Sequence, residues 1–260
     1  MSKVQPKKNL GQHFLKDIGI ARKIAVSLTG EGYSSVLEIG PGMGILTGCL
    51  LDRKFPDFRV IEIDNESVHY LQTHFPELNN IIRGDFLSLD IDNYFTEKLA
   101  IIGNFPYNIS TQIFFKVLKH REKVVEITGM LQKEVAERIC AGPGSKTYGI
   151  LSVLLQAFYK TEYLFTVPEQ VFSPPPRVKS GVIRLMRNNV NNLGCDETLF
   201  FRVVKASFNQ RRKILKNSVR AAFELKRDDY REFGLRPEQL SVNQFVQLTK
   251  WIDENRVSSE

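Results

Sequence analysis

The sequence predicts a doubly wound α/β sheet followed by a smaller all-α domain. From about residue 20 to residue 185, short apolar runs alternate with segments of helical spacing, which is the pattern of βα units in a mainly parallel sheet. A polar linker follows at 188–194, and the spacing after it is helical to the end of the sequence. We therefore expect two domains, at 1–187 and 188–260.

The elements of the sheet domain can be assigned in order along the chain. Apolar runs predict strands at 36–39, 59–64, 81–83, 99–103, 124–131 and, after the prolines at 174–176, 182–185. Helical spacing predicts helices at 45–51, 65–75, 110–118 and 134–140, and Asn65 is a candidate N-cap for the second. In the C-terminal domain we expect helices at 197–208, 212–223 and 241–255.

Composition restricts the class of protein. With 42% hydrophobic and 25% charged residues the chain reads as a soluble globular protein, and no apolar run approaches the roughly 20 residues of a membrane span. The basic N-terminus lacks the apolar core of a signal peptide, so we expect a cytoplasmic protein with no membrane partner. The three cysteines and four histidines are scattered, so we expect neither a disulfide framework nor a metal site.

The positive charge is concentrated in one segment. Residues 177–227 hold thirteen Lys and Arg against three Asp and Glu, whereas the net charge of the whole chain is only +7. A basic region on a near-neutral body indicates a polyanionic partner such as nucleic acid, although a solvated helix face has the same composition. The candidate phosphate contacts are Lys205, Arg211, Arg212, Lys213, Lys216 and Arg220.

Three unusual segments, at 40–44, 84–86 and 104–107, each come directly after a predicted strand. Because ligands bind beyond the carboxyl ends of the strands in such sheets, we expect these segments to line one site. The first, GPGMG, is neither a P-loop nor a GxGxxG turn. Glu62 can accept hydrogen bonds from ribose hydroxyls, with a capping or surface carboxylate as the alternative. Asp85 can accept a hydrogen bond from an adenine amine, although Asp85 taken alone is more typical of a turn residue. Together they favour S-adenosylmethionine over NAD.

Asn104-Phe105-Pro106-Tyr107 indicates chemistry on an exocyclic amine of adenine, whose lone pair is delocalised into the ring. The Asn104 amide oxygen and a backbone carbonyl can accept the two N–H bonds and so localise the lone pair on nitrogen. Pro106 keeps this turn rigid, and Tyr107 offers a face on which the base can stack. Phe172 is either a second stacking face for a flipped-out base or a core residue.

Several long segments, in the same order along nearly the whole chain, resemble the small-subunit ribosomal RNA adenine dimethyltransferases, the kasugamycin-resistance methylase family. These segments are 9–15 (NLGQHFL), 38–44, 103–111 (GNFPYNIST), 131–138, 145–149, 172–178 and 208–213. The sequence departs from the family pattern at two positions. His13 stands where many relatives have Asn, and Phe105 stands where many have Leu; we expect little change from Phe105.

The resemblance implies a Rossmann-like class I methyltransferase sheet and an S-adenosylmethionine-dependent N6,N6-dimethylation. The targets would be two adjacent adenosines in the 3′-terminal hairpin of 16S rRNA, within an assembling small subunit on which the helical domain docks. By the family match six residues contact the cofactor: His13 and Leu15 closing over it, Gly40 at its methionine part, Glu62 at the ribose, Asp85 at the adenine, and Asn104, which also holds the target amine.

Two other functions stay open at the level of sequence. The related 23S rRNA methylases of the macrolide-resistance class share the cofactor loop and the segment at 104–111, although 131–138 and 208–213 favour the small-subunit enzyme. A non-catalytic ribosome-assembly factor is the third reading, and the intact Asn104–Tyr107 segment argues against it. We expect a monomer.

Overall fold

The computed structural model describes residues 4–210 and 212–257. These described residues divide into two compact units. The first unit holds the described residues up to Ala136 together with Lys160–Arg187. The second unit holds Glu137–Tyr159 and the described residues from Asn188 onward. One division therefore falls between 187 and 188, where the linear pattern places a boundary. The segment 137–159 also joins the helical unit, which the pattern does not indicate.

The strands of the described residues, in chain order, are β1 (Phe14–Leu15), β2 (Ser35–Ile39), β3 (Asp57–Glu62), β4 (Ile81–Arg83), β5 (Leu99–Asn104), β6 (Val124–Gln132), β7 (Tyr159–Val167), β8 (Phe172–Ser173) and β9 (Ser180–Arg187). Seven of them form one sheet in the order β4-β3-β2-β5-β6-β9-β7. The pairs from β4 to β6 are parallel, and β9 is antiparallel to β6. β1 and β8 form a separate antiparallel pair.

The position of the site follows from the strand order. The chain runs outward from β2 to β4 on one side and resumes with β5 on the other side of β2. At such a reversal the loops that leave the two central strands diverge and open a crevice at their carboxyl ends. All five residues of β2 and the first five of β5 are buried, as expected for parallel strands covered on both faces.

The helices flanking the sheet are α1 (Ile18–Val26), α2 (Ile45–Leu51), α3 (Asn65–His74), α4 (Ile91–Tyr94), α5 (Ser110–Lys119) and α6 (Lys133–Cys140). The predicted strands and helices of this region are present to within a few residues. The N-cap of α3 is Asp64 rather than Asn65, because Asp64 has an extended backbone and its side chain accepts the Glu66 N–H. The predicted strand 59–64 accordingly ends at Glu62. The pair of β1 and β8 and strand β7 were not predicted.

The second unit contains α7 (Ile150–Gln156), α8 (Glu197–Asn209), α9 (Leu215–Arg220) and α10 (Val242–Asn255). Its core includes the stacked rings of Phe208 and Phe245, with centroids 5.8 Å apart. The prediction of a helix over 212–223 is wrong at both ends. Ile214 is extended and the Leu215 N–H is bound to the Leu235 carbonyl at 2.7 Å, so the helix begins only at Leu215.

None of the helices in residues 4–210 and 212–257 is both long enough and apolar enough to cross a bilayer.

Candidate active site

A pocket opens at the carboxyl ends of β2, β3, β4 and β5, as the strand order requires. Its walls come from residues in 10–15, 38–46, 61–63, 84–86 and 104–109, so all three segments predicted from the sequence meet in it. The predicted site residues that line it are His13, Leu15, Gly40, Glu62, Asp85, Asn104, Pro106 and Tyr107. The pocket lies wholly within the first unit.

The Glu62 carboxylate is hydrogen-bonded to the glycine-rich turn between β2 and α2. Its side chain is buried, and its carboxylate oxygens accept the Gly42 N–H at 3.1 Å and the Asp64 N–H at 2.9 Å. Burial raises the pKa of Glu62, and these backbone N–H groups oppose the shift. Gly42 has a φ of +57°, and a Cβ there would lie 2.8 Å from the ring of Phe14. Glycine therefore permits both the turn and the close approach of the N-terminal segment.

Glu38 is a second buried carboxyl in the pocket wall, at the end of β2. Its exposure is 1%, and it accepts a hydrogen bond from the Thr47 hydroxyl at 2.7 Å. Burial is the main cause that raises the pKa of Glu38 to about 8; the hydrogen bond from Thr47 opposes this shift, and the nearby Glu62 contributes to it. Two buried carboxyl groups, those of Glu38 and Glu62, therefore line the end of the pocket at β2 and β3, and burial favours the neutral form of Glu38 at neutral pH.

Asn104 ends β5, and its amide orientation is set by the N-terminal segment. The Asn104 Nδ2 donates to the backbone carbonyl of His13 at 2.9 Å. The Oδ1 atom makes no hydrogen bond with the described residues. The imidazole of His13 is fixed in turn, because its Nδ1–H donates to the Pro174 carbonyl at 2.8 Å. An amide with its nitrogen anchored presents its oxygen as a hydrogen-bond acceptor.

The ring of Tyr107 is held on two sides. Its hydroxyl lies 2.6 Å from the Oγ of Ser180, a fully buried residue of β9, and the His13 ring packs against it with centroids 5.4 Å apart. Burial raises the pKa of Tyr107, and the bond to Ser180 opposes the shift. The tyrosine is therefore a neutral, oriented ring at neutral pH.

The N-terminal segment that carries His13 is tied to the sheet at several points. The Lys7 Nζ lies 2.5 Å from a carboxylate oxygen of Asp64, and the Gln12 Nε2 donates to the other oxygen at 3.4 Å. Further along, Leu15 pairs with Phe172 in the β1–β8 ribbon. The segment thus lies along one wall of the pocket, where the family match places His13 and Leu15.

Asp85 caps a 3-10 helix, Phe86–Ser88, beside the pocket. One carboxylate oxygen accepts the Leu87 N–H at 2.9 Å, as in the turn reading of the sequence. The second oxygen makes no hydrogen bond with the described residues. Asp85 is therefore a helix cap at the pocket wall, with one carboxylate oxygen that has no partner among the described residues.

The stacking role predicted for Phe172 is wrong for this structure. Its side chain is only 1% exposed and belongs to the core cluster of the first unit. A ring buried on both faces cannot receive a base. Phe172 instead anchors β8, and through it the pair with β1, as a core residue.

The predicted phosphate contacts lie in the second unit. Arg212 and Lys213 are exposed in the turn between α8 and α9, whereas Arg211 lies outside the described residues. Lys216 and Arg220 both pair with Asp228, at 2.7 and 3.0 Å. Lys205 is exposed on α8. The described cations therefore do not share one continuous helix, because α8 ends at Asn209 and α9 begins only at Leu215.

The pocket fits S-adenosylmethionine by the chemistry of its lining. Glu62 and Asp85 line the pocket and offer carboxylate oxygens to hydroxyl and amine donors such as those of an adenosine. No Lys or Arg lies among the lining residues of the described chain, so a diphosphate such as that of NAD has no cationic partner there.

Comparison with known proteins identifies the family. A family model described as ribosomal RNA adenine dimethylase matches residues 3–254. The chain belongs to this family. Ribosomal RNA small subunit methyltransferase A of Cytophaga hutchinsonii is 57% identical over 97% of this chain and 99% of the relative. The protein of the same name from Flavobacterium johnsoniae is 56% identical over the full length of both. The predicted resemblance is confirmed.

Two solved structures share the fold of these dimethylases. A dimethyladenosine transferase from Plasmodium falciparum has a TM-score of 0.76 at 24% identity and covers 93% of this chain and 98% of its own. The 23S rRNA methyltransferase ErmE has a TM-score of 0.66 at 23% identity, and the match covers 92% of this chain and 99% of the ErmE chain. The class I methyltransferase fold is thus confirmed, as are the assignment of the chain as an rRNA adenine methyltransferase and S-adenosylmethionine as its cofactor.

Three residues of the dimethylase site have structural roles that sequence reasoning missed. Phe14 closes on Gly42, Asp64 holds Lys7 and Gln12, and Ser180 holds the Tyr107 hydroxyl. Asp64 carries a usable local signal, because an Asp directly before helical spacing is a typical N-cap. Ser180 and Phe14 have no such signal, since their partners are distant in the sequence.

Proposed function

We propose that this dimethylase methylates N6 of two adjacent adenosines in the 3′-terminal hairpin of 16S rRNA, acting as a monomer on an assembling small subunit in the cytoplasm. The observation that carries the proposal is the anchored amide of Asn104 at the mouth of β5, whose Oδ1 faces no partner among the described residues. The names of relatives such as that of Parabacteroides distasonis, 58% identical over 96% of this chain, support the small-subunit substrate.

The first task of the site is to activate a poor nucleophile. The Asn104 Oδ1 and a backbone carbonyl of the same turn accept the two N–H bonds of the adenine amine, which concentrates the lone pair on nitrogen. S-adenosylmethionine, when bound, supplies an electrophilic methyl group on its sulfonium. Because Asn104 Nδ2 is held by the His13 carbonyl, the acceptor is in place before the target arrives, and this arrangement acts by positioning and electrostatics.

The second task is to hold the flipped-out base. Tyr107 offers a ring face for stacking, and its hydroxyl bond to Ser180 keeps the ring from rotating away. The His13 ring packs against the Tyr107 ring, with centroids 5.4 Å apart. We therefore assign to Tyr107 alone the stacking role that the sequence divides between Tyr107 and Phe172. His13 helps to orient both Tyr107 and Asn104.

Docking on the ribosomal RNA is assigned to the basic residues of the second unit. Arg212 and Lys213 are exposed, and they make no ion pair with the described residues. Arg220 and Lys216 share Asp228, so a phosphate would compete with that carboxylate for them. Contacts of this kind give affinity and register, while the target is selected in the pocket.

The experiment that tests the proposal supplies labelled S-adenosylmethionine to undermethylated small subunits and, separately, to large subunits. Labelled nucleosides are identified by mass spectrometry. We expect dimethyladenosine in small-subunit RNA only. Label in large-subunit RNA would instead identify a 23S methylase. No label in either, with tight subunit binding, would identify an assembly factor.

A matched variant separates the chemistry from the binding. Asn104→Ala removes the amide acceptor but leaves the basic residues of the second unit unchanged. We expect the methylation rate to fall by about 100-fold or more, the size of effect seen when one preorganised polar group is removed, while subunit binding is retained. An Asn104→Ala enzyme with the wild-type rate would exclude the proposed role of the amide.

A further inference from the structure

Lys116, on the inner side of α5, gathers three backbone carbonyls from a neighbouring turn. Its Nζ donates to the carbonyl oxygens of Phe86 at 2.7 Å and Leu87 at 2.9 Å, and also to that of Leu89. The same ammonium lies 5.1 Å from the centre of the Phe86 ring. An ammonium has three protons, so this cluster uses its full donor capacity.

The turn held by Lys116 is part of the cofactor pocket. Asp85 and Phe86 line the pocket, and the carbonyls bound by Lys116 are those of the 3-10 helix that Asp85 caps, with Leu89 directly after it. Asp85 therefore caps the amino end of this helix while Lys116 binds carbonyls at its other end. A short helix of this kind has little stability of its own, so its geometry depends on these two caps.

The position of Lys116 also connects the turn to the catalytic loop. Helix α5 begins at Ser110, and the Ser110 hydroxyl donates to the Tyr107 carbonyl at 3.3 Å. One rigid helix therefore holds the loop of Asn104 and Tyr107 at its start and the Asp85 turn at Lys116. The exposed Lys119 on the same helix has no such carbonyl cluster among the described residues.

We propose that Lys116 is a positioning residue for the cofactor: by binding the carbonyls of Phe86, Leu87 and Leu89 it sets the place of the Asp85 carboxylate that receives the adenine amine. The proposal rests on the adenine-binding role of Asp85 within the proposed function. Lys116 does not itself line the pocket, so it acts through the turn. Burial lowers the pKa of Lys116, and Asp85 and Asp90 oppose the shift while Lys119 adds to it.

The test compares ligand binding by calorimetry for S-adenosylmethionine and for 5′-methylthioadenosine, which shares only the adenosine part. The variants are Lys116→Met, Lys116→Arg, Asp85→Asn, Lys116→Met with Asp85→Asn, and Lys119→Met as the matched control. We expect Lys116→Met to weaken both ligands by a similar factor, about fivefold to tenfold, as for one lost or misplaced hydrogen bond. Lys116→Arg should recover most of this loss, and Lys119→Met should bind as the wild type does.

Kinetics separate positioning from general damage. With Lys116→Met we expect KM for S-adenosylmethionine to rise while kcat at saturating cofactor stays within about twofold of wild type. In the Asp85→Asn background the further loss from Lys116→Met should shrink to about twofold or less, because the two residues act through one contact. If Lys116→Met does not fold, Lys116→Gln, which keeps donors for part of the cluster, is measured against the same expectations.

The outcomes distinguish the adenine-binding role of Asp85 from the positioning role of Lys116. If Asp85→Asn binds cofactor like the wild type, the role of Asp85 fails. If Asp85→Asn weakens binding but Lys116→Met does not, or if the Lys116→Met loss persists in full in the Asp85→Asn background, the positioning role of Lys116 is overturned. A fall in kcat with unchanged KM overturns it as well.

Discussion

Phe105, in the Asn104–Tyr107 loop, lies against two glycines of adjacent strands. Gly103 of β5 pairs with Gly129 of β6, and the Phe105 ring lies against both. A Cβ built on Gly129 would lie 2.2 Å from ring atom Cε2 and 2.8 Å from Cδ2 and Cζ. Phe105 is 1% exposed, and its ring forms a T-shaped contact with that of Phe114, so the ring is packed against neighbouring side chains. Gly129→Ala must therefore displace the ring and the loop that carries it.

The expected magnitude follows from this geometry. Overpacking by one methyl group in a closed core lowers the free energy of unfolding by about 1–3 kcal/mol. For a chain of this size that corresponds to a fall in Tm of about 2–4 °C per kcal/mol. Because Asn104 directly precedes Phe105, a displacement of about 1 Å at the amide would lower the methylation rate by up to about 100-fold.

The assay combines urea denaturation with methylation of undermethylated small subunits. Gly142→Ala is the control, because a Cβ on this exposed glycine would have no neighbour within 4 Å; we expect a change of no more than about 0.5 kcal/mol. The double variant Gly129→Ala with Phe105→Leu should regain part of the lost stability, since the smaller side chain makes room for the methyl group. Wild-type stability and rate in Gly129→Ala would refute the reasoning, as would a Phe105→Leu change that adds to the loss.

Three further predictions concern the pocket and the basic turn. Glu62→Ala leaves the Gly42 and Asp64 N–H groups without their acceptor. Calorimetry should show a cofactor affinity lower by roughly tenfold to 100-fold, with RNA binding unchanged. A cofactor affinity equal to that of the wild type would reject the role of Glu62 in binding the ribose. The pKa of Glu38 rises from 4.5 to about 8 on folding, so the folded state binds an extra proton and the free energy of unfolding falls as pH rises through this range. Glu38→Gln should flatten this decline, as measured by urea titrations at a series of pH values. An equal dependence of the free energy of unfolding on pH in both proteins would contradict the prediction. Arg212→Ala with Lys213→Ala should lower the salt slope of RNA binding by about two, whereas an unchanged slope would remove both from the interface.

The convergence of the site was predictable from the chain alone. Strands that alternate with helices, with unusual residues directly after them, require those residues to meet at one rim, and the pocket contains Gly40, Glu62, Asp85 and Asn104 as expected. The limits of the elements were predicted less well where a partner outside the local pattern decides them. The start of α9 at Leu215 depends on the carbonyl of Leu235, which the spacing of 212–223 does not reveal.

The sequence by itself determined the fold class, the order of the βα units, and the place of the Asn104–Tyr107 loop directly after a strand, because periodicity and residue type act locally. Only the tertiary structure decided that Phe172 is buried, that the Asn104 amide is oriented by the carbonyl of His13, 91 residues earlier, and that Lys116 binds the Asp85 turn. Such contacts join distant parts of the chain and depend on side-chain packing. A pattern of apolar and polar residues specifies which face is buried, but not which neighbour each atom meets there.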